Sequence, residues 1–190
     1  MNIKLRRGFI IAAWVGLFVG ALVSCASPQK ETVLVASFTE NYVDVSIYVK
    51  HDFEGEYFLA ATFTPPEGYH LYSKDIPITG IDGLGRPTLL ELTSNSTTKA
   101  TGTLLESANA EVPDFGPKEL LVYPAGAITL SLPVELPPGE DWIEDELQVT
   151  FMACSASQCK PPVVAKRLLV PIPGAGFLDH VLNDEGRNTK

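Results

Sequence analysis

Residues 146–162 read ELQVTFMACSASQCKPP. Leu147, Val149, Phe151 and Ala153 alternate with Gln148, Thr150, Met152 and Cys154, the period of a strand that buries one face. Cys154 therefore stands at a strand end. Ser155, Ala156, Ser157 and Gln158 separate it from Cys159, and these small or polar side chains suit a turn. Pro161 and Pro162 then block an immediate return to a regular ladder. A cysteine pair so placed can close a disulfide and still be reached by another protein. As a staple it is weak: closing a loop of about six residues stabilises by about 2 kcal/mol, against about 4 to 5 for a loop of around a hundred. An inert surface disulfide is the competing reading, since secreted domains carry many. No metal site is expected, because the two cysteines with His51, His70 and His180 show no ligand spacing, and no cofactor motif is present.

Outward from this stretch the strand pattern repeats. Residues 42–50 carry Val43, Val45, Ile47 and Val49 alternating with Tyr42, Asp44, Ser46 and Tyr48. Further strands are expected over residues 33–38, 56–64, 69–72, 88–92, 99–105, 119–123, 128–134, 147–154 and 163–170. Fifteen glycines and 15 prolines supply the turns between them. Nothing beyond the amino terminus carries a sustained helical period. Short, closely spaced strands of this kind predict an all-β, immunoglobulin-like antiparallel sandwich. It is expected to span residues 33–174. Residues 175–190 form a tail, with a short helix around 177–182 that then frays.

Residues 1–24 are expected to be a lipoprotein signal peptide. Lys4, Arg6 and Arg7 form a basic start, and the apolar run from Phe9 to Val23 is short for a membrane span. Leu22, Val23, Ser24 and Cys25 form a lipobox-like ending in which Cys25 would be acylated, leaving residues 25–32 as a lipidated tether; an uncleaved anchor helix with an incidental cysteine is the alternative. The globular part then lies outside the cytoplasm, held by the lipid at a bacterial membrane, where disulfides persist. In a cell with two membranes, Ala26 after that cysteine resembles the outer-membrane sorting pattern, with outer and inner membrane both left open. Removing the three signal cations takes the formal net charge from −9 to about −12. Such a balance argues against nucleic acid and against electrostatic binding to anionic lipid.

Four pieces then carry a resemblance: EGYHLYSKDIP at 67–77, PDFGPKELLVYP at 113–124, LSLPV at 130–134 and FMACSASQCKPP at 151–162. In order and spacing they resemble the amino-terminal periplasmic domain of the DsbD family of thiol:disulfide interchange proteins, over residues 33–171. The resemblance implies that the pair Cys154 and Cys159 cycles between disulfide and dithiol, with Cys159 forming mixed disulfides. It implies electrons arriving from a membrane-embedded or thioredoxin-like donor and leaving to extracytoplasmic protein disulfides. Asp114, Phe115 and Gly116 match a loop that caps the pair, with Phe115 as the cap. Tyr72 matches a tyrosine packed near the site, and His70 stands where relatives have a second tyrosine. This chain departs from the pattern in its four-residue loop between the cysteines, where the best-known member has five. It departs again in Lys160, where relatives often carry an apolar or aromatic residue. Neither a membrane conduit nor a thioredoxin-like CxxC follows, so the donor is expected to be a separate protein.

A cation beside a thiol lowers its pKa, so Lys160 is a candidate to favour the Cys159 thiolate; a solvated loop lysine is the alternative. Ordinary packing is the alternative for Phe115, His70 and Tyr72. Hydrolase chemistry finds no nucleophile motif and no paired carboxylates. The rival function is a lipid-anchored binding or assembly domain whose disulfide is purely structural, because sandwiches are common interaction modules.

Overall fold

The computed structural model describes residues 32–52, 54–114 and 116–185, with side chains to residue 180. Alternation in the sequence becomes alternation in burial. In β2 (Val43–His51), Val43, Val45, Ile47 and Val49 are at most 1% exposed while Asp44 faces solvent. The same rule orders β3 (Tyr57–Thr64) and β7 (Ile128–Glu135), whose Ile128, Leu130, Leu132 and Val134 point inward. With β1 (Thr32–Glu40), β5 (Lys99–Ala100) and β6 (Leu105–Glu106) they form an antiparallel six-stranded sheet, ordered β1-β2-β3-β7-β5 with β6 also on β7. A three-stranded antiparallel sheet, β4-β8-β9, comprises β4 (Leu89–Leu92), β8 (Trp142–Phe151) and β9 (Val163–Pro173).

The two sheets share one core. Val45, Ile47, Leu59 and Phe63 of the larger sheet belong to the same buried cluster as Leu90, Leu147, Val149 and Phe151 of the smaller. Phe63 and Phe151 meet across it with ring centroids 5.6 Å apart, a spacing at which tilted aromatic pairs attract beyond their burial. The chain is thus an all-β antiparallel sandwich.

Several local expectations need correction; β8 begins five residues before the expected 147 and ends at Phe151, three short of Cys154. Residues 99–105 are not one strand but the separate pieces β5 and β6. Pro133 on β7 is the cause: its carbonyl accepts the Thr101 N–H at 2.9 Å, and on a strand a residue's N–H points the same way as its C=O. The N–H that proline lacks is therefore the one this edge needed to continue. Residues 69–72 and 119–123 contribute single bridges instead of strands, through His70, Tyr72 and Val122. The carboxy-terminal helix is longer than expected, α1 (Ala175–Glu185). Its start is set by distant carbonyls: Gly174, Ala175 and Gly176 N–H groups bond Asp141, Pro137 and Gly139 oxygens at 3.0, 2.9 and 2.9 Å. Leu178 is 2% exposed, the Phe177 ring meets Trp142 at 5.3 Å, and the Tyr57 hydroxyl donates to Asp179 at 2.6 Å. At the amino-terminal side, Thr32 already pairs with Lys50 in β1, one residue into the expected tether.

This arrangement gives the sandwich two poles. Thr32, Tyr57, Trp142 and α1 lie at one. At the other are the β1–β2 turn and the end of β8, from which the chain runs on to Cys154. Asn41 (φ 48°) and Tyr42 (φ 68°) make that turn a two-residue connection with positive φ at both central positions, whose twist matches the strands it joins. The β8–β9 ladder slips between Val149 and Phe151, where Ala165 takes a positive φ of 47° and its N–H bonds the Thr150 hydroxyl at 3.0 Å. Irregularities of this type concentrate beside functional sites because they re-aim the strand that follows.

Candidate functional site

Beyond Phe151 the chain folds back as a small hairpin. Lys160 N–H donates to Ala153 oxygen and Ser155 N–H to Gln158 oxygen, each at 2.8 Å. The Ser155 hydroxyl accepts the Ser157 and Gln158 N–H groups at 3.3 and 3.2 Å, fixing a turn centred on Ala156 and Ser157. Cys154 and Cys159 face each other between those bonds with Cα atoms 4.0 Å apart, the close spacing of a non-hydrogen-bonded antiparallel pair. They are joined by a disulfide.

The two halves of this bond live in different environments. Cys154 is 1% exposed and packs with Tyr72, Ile76 and Leu120; Cys159 is exposed. His70 lies directly opposite Cys154, exchanging backbone bonds of 2.9 and 3.1 Å. Directly opposed residues share a face, so the His70 side chain stands beside that of Cys154. The His70 ring meets Tyr72 edge-on at 5.2 Å, as their two-residue spacing expected. Burial pushes the His70 imidazole below its ordinary value and the Tyr72 phenol above its own.

A cleft of about 430 Å³ opens beside the disulfide, with Tyr72, Leu84, Leu120 and Met152 among its walls and both cysteines in its lining. One wall is the loop 79–86, closed around Arg86, whose guanidinium donates to the carbonyls of Thr79 at 2.9 Å, of Gly83 at 3.1 Å, and of Gly85. Gly85 sits there at φ 74°; a Cβ would come within 2.8 Å of Leu120 and 3.2 Å of the Tyr72 ring. Only a residue without a side chain lets the loop pack this closely against Leu120 and the Tyr72 ring.

Of the residues singled out in the sequence, the structure brings Cys154, Cys159, His70 and Tyr72 into one site. Asp114 is exposed, and Gly116 lines the cleft. Phe115, Cys25, the signal segment and most of the tether lie outside the described residues. Lys160 is engaged elsewhere: its ammonium lies 4.2 Å from the Tyr42 ring centroid and 5.0 Å from that of Tyr69. Sequence reasoning missed Tyr42, Tyr69, Gln158, Leu84, Leu120 and Met152. Only Met152 and Gln158 carried a local signal, as neighbours of the cysteine pair. Among the described residues, no helix is long and apolar enough to cross a membrane.

Compared with family models, with curated proteins and with solved structures, the chain matches none.

Proposed function

We propose that this chain is a membrane-tethered, extracytoplasmic thiol–disulfide exchange domain that relays electrons to protein disulfides through Cys154 and Cys159. The observation that carries this reading is the asymmetry of the bond, one cysteine 1% exposed and the other exposed at the mouth of a cleft. Exchange by in-line attack needs one sulfur that a partner can reach and one that stays behind to resolve the intermediate. In the dithiol form the Cys159 thiolate attacks a sulfur of the acceptor disulfide and expels the other as a thiolate. Cys154, as its thiolate, then attacks the Cys159 sulfur, restoring the intramolecular bond and releasing the acceptor's second thiol. Two electrons pass to the acceptor, and a dithiol donor reverses the sequence at Cys159. No cofactor is required.

The resemblance to the DsbD amino-terminal family supplies the rest. It adds an immunoglobulin-like arrangement of the sandwich, a cap at Asp114 and Phe115, and site-lining roles for Tyr72 and His70. It also adds a membrane-embedded or thioredoxin-like donor. Lipidation at Cys25 is the proposed tether to a bacterial membrane.

The test is the reduction potential of the pair in the full chain, equilibrated with a glutathione or dithiothreitol series and read by thiol alkylation. A reversible value of roughly −270 to −120 mV is expected of an exchange protein. A bond that stays oxidised below roughly −300 mV would instead favour a lipid-anchored binding domain with a structural disulfide.

A further inference from the structure

The returning arm of the cysteine hairpin is held from outside by residues remote in sequence. The Lys160 ammonium, one residue after Cys159, lies 4.2 Å from the centroid of the Tyr42 ring and 5.0 Å from that of Tyr69. The Gln158 side-chain amide, one residue before Cys159, donates to the Tyr69 hydroxyl. The Asn41 amide donates to the Pro161 carbonyl at 2.9 Å. Tyr69 adjoins His70, which is bonded to Cys154 through two backbone hydrogen bonds. Both arms are therefore fixed to the sandwich without using the sulfur–sulfur bond.

We propose that Lys160, Tyr42 and Tyr69 form a clasp that positions Cys159 against Cys154 in the dithiol form and so makes the pair more reducing. The inference rests on the redox reading above and adds what sets its poise. A disulfide exchanges with a dithiol reagent according to the effective concentration of its two thiols, which falls as the arms gain freedom relative to one another. In the oxidised form the bond itself holds them together, so the clasp matters most once that bond is broken. Loosening it favours the dithiol and moves the potential to less negative values. The balance is a simple exchange: reduced dithiothreitol loses two electrons and closes its ring as the protein disulfide gains two electrons and two protons.

Ammonium–ring contacts at partly exposed sites are individually modest. Losing one or both should lower the equilibrium constant for oxidation by about three- to tenfold, equivalent to about 15 to 30 mV for a two-electron couple. The sign separates this role from thiolate support. If Lys160 chiefly stabilised the Cys159 thiolate, its removal would destabilise the reduced form and make the potential more negative, and Tyr42 would be irrelevant.

The experiment is the dithiothreitol equilibrium of the full chain, wild type beside Tyr42→Leu, Lys160→Met and Lys160→Arg, with circular dichroism confirming that each oxidised variant is folded. Tyr42→Leu and Lys160→Met are expected to shift toward the dithiol by three- to tenfold, while Lys160→Arg, which keeps a cation over the rings, stays within about twofold of wild type. Unchanged constants in both loss variants, or a Lys160→Met shift in the opposite direction, overturns the clasp while leaving the redox reading intact. A wild-type bond that resists strongly reducing buffer overturns the redox reading, and the clasp with it.

Discussion

Reducing the Cys154–Cys159 bond with excess dithiothreitol is the perturbation, and the response of the fold tests whether the domain can carry electrons at all. The bond spans a sequence separation of five. Opening so small a loop removes a restraint worth about 2 kcal/mol from the unfolded chain. The native contacts around it do not depend on sulfur. Ala153 still bonds Lys160 and Ser155 still bonds Gln158 at 2.8 Å, and the two backbone bonds between His70 and Cys154 are untouched. The reduced chain should therefore unfold as one cooperative transition. Its urea midpoint is expected about 1 M lower for a slope near 2 kcal/mol/M, and its melting temperature roughly 4–8 °C lower. Urea titration of oxidised and reduced full-length protein, followed by circular dichroism, reads both quantities. Loss of the cooperative transition on reduction, or a midpoint lowered by more than about 2 M, would refute the reasoning. Either result would mean that the bond holds the core and not merely the hairpin.

Three other outcomes are expected. Cys159 in a Cys154→Ala chain should be alkylated roughly tenfold or more faster than Cys154 in a Cys159→Ala chain, because a buried thiol reacts only when the site opens; comparable rates would remove the asymmetry on which the functional reading stands. Asp145 is only 4% exposed. Burial would raise its carboxyl, but hydrogen bonds from Thr98, Thr97 and Ser96 outweigh this and hold it below the ordinary 3.8. Its contribution is therefore present above that value and lost as pH falls through the lower folded one. Asp145→Ala should cost about 1.5 to 3 kcal/mol at pH 7 and less in acid, and an equal cost at both pH values in urea titrations would contradict this. The half-buried His70 imidazole titrates below its usual 6.5, so the unfolded chain takes the proton first. Stability should decline as pH drops below 6.5, and His70→Phe should flatten that decline; an unaltered slope would assign it to other groups.

What could be read from the sequence followed the range of the interactions. β2 and β7 were legible because each strand's own alternation encodes which face is buried. The strand leading toward Cys154 was legible for the same reason, although β8 stops at Phe151 and Cys154 joins only single bridges, and so was the turn before Cys159. The break between β5 and β6 was not, because its cause is Pro133 on a neighbouring strand. Nor was the start of α1, which is set by carbonyls at Pro137, Gly139 and Asp141. Asp145 shows the same limit: an acidic residue in β8 reads as solvent-facing until the Ser96–Thr98 segment comes to cover it. The clasp was the least visible part. Asn41 and Pro161 are 120 residues apart, and nothing near Tyr42 or Tyr69 marks them as neighbours of a cysteine.

The course of β1 sets which way the sulfurs face. Thr32 enters beside Lys50 and the strand delivers the chain to the turn that touches Pro161. Nine residues of strand cover about 30 Å, so the entry point and the disulfide sit at opposite ends of the domain. With Cys25 as an anchor, the disulfide would project outward from the bilayer like the tip of a short mast. Soluble partners would meet it unobstructed, whereas a donor embedded in the membrane could reach it only if the mast tilts or the donor rises to meet it. Lengthening the segment before Thr32 should then leave exchange with soluble thiols unchanged and alter only the rate of reduction from the membrane.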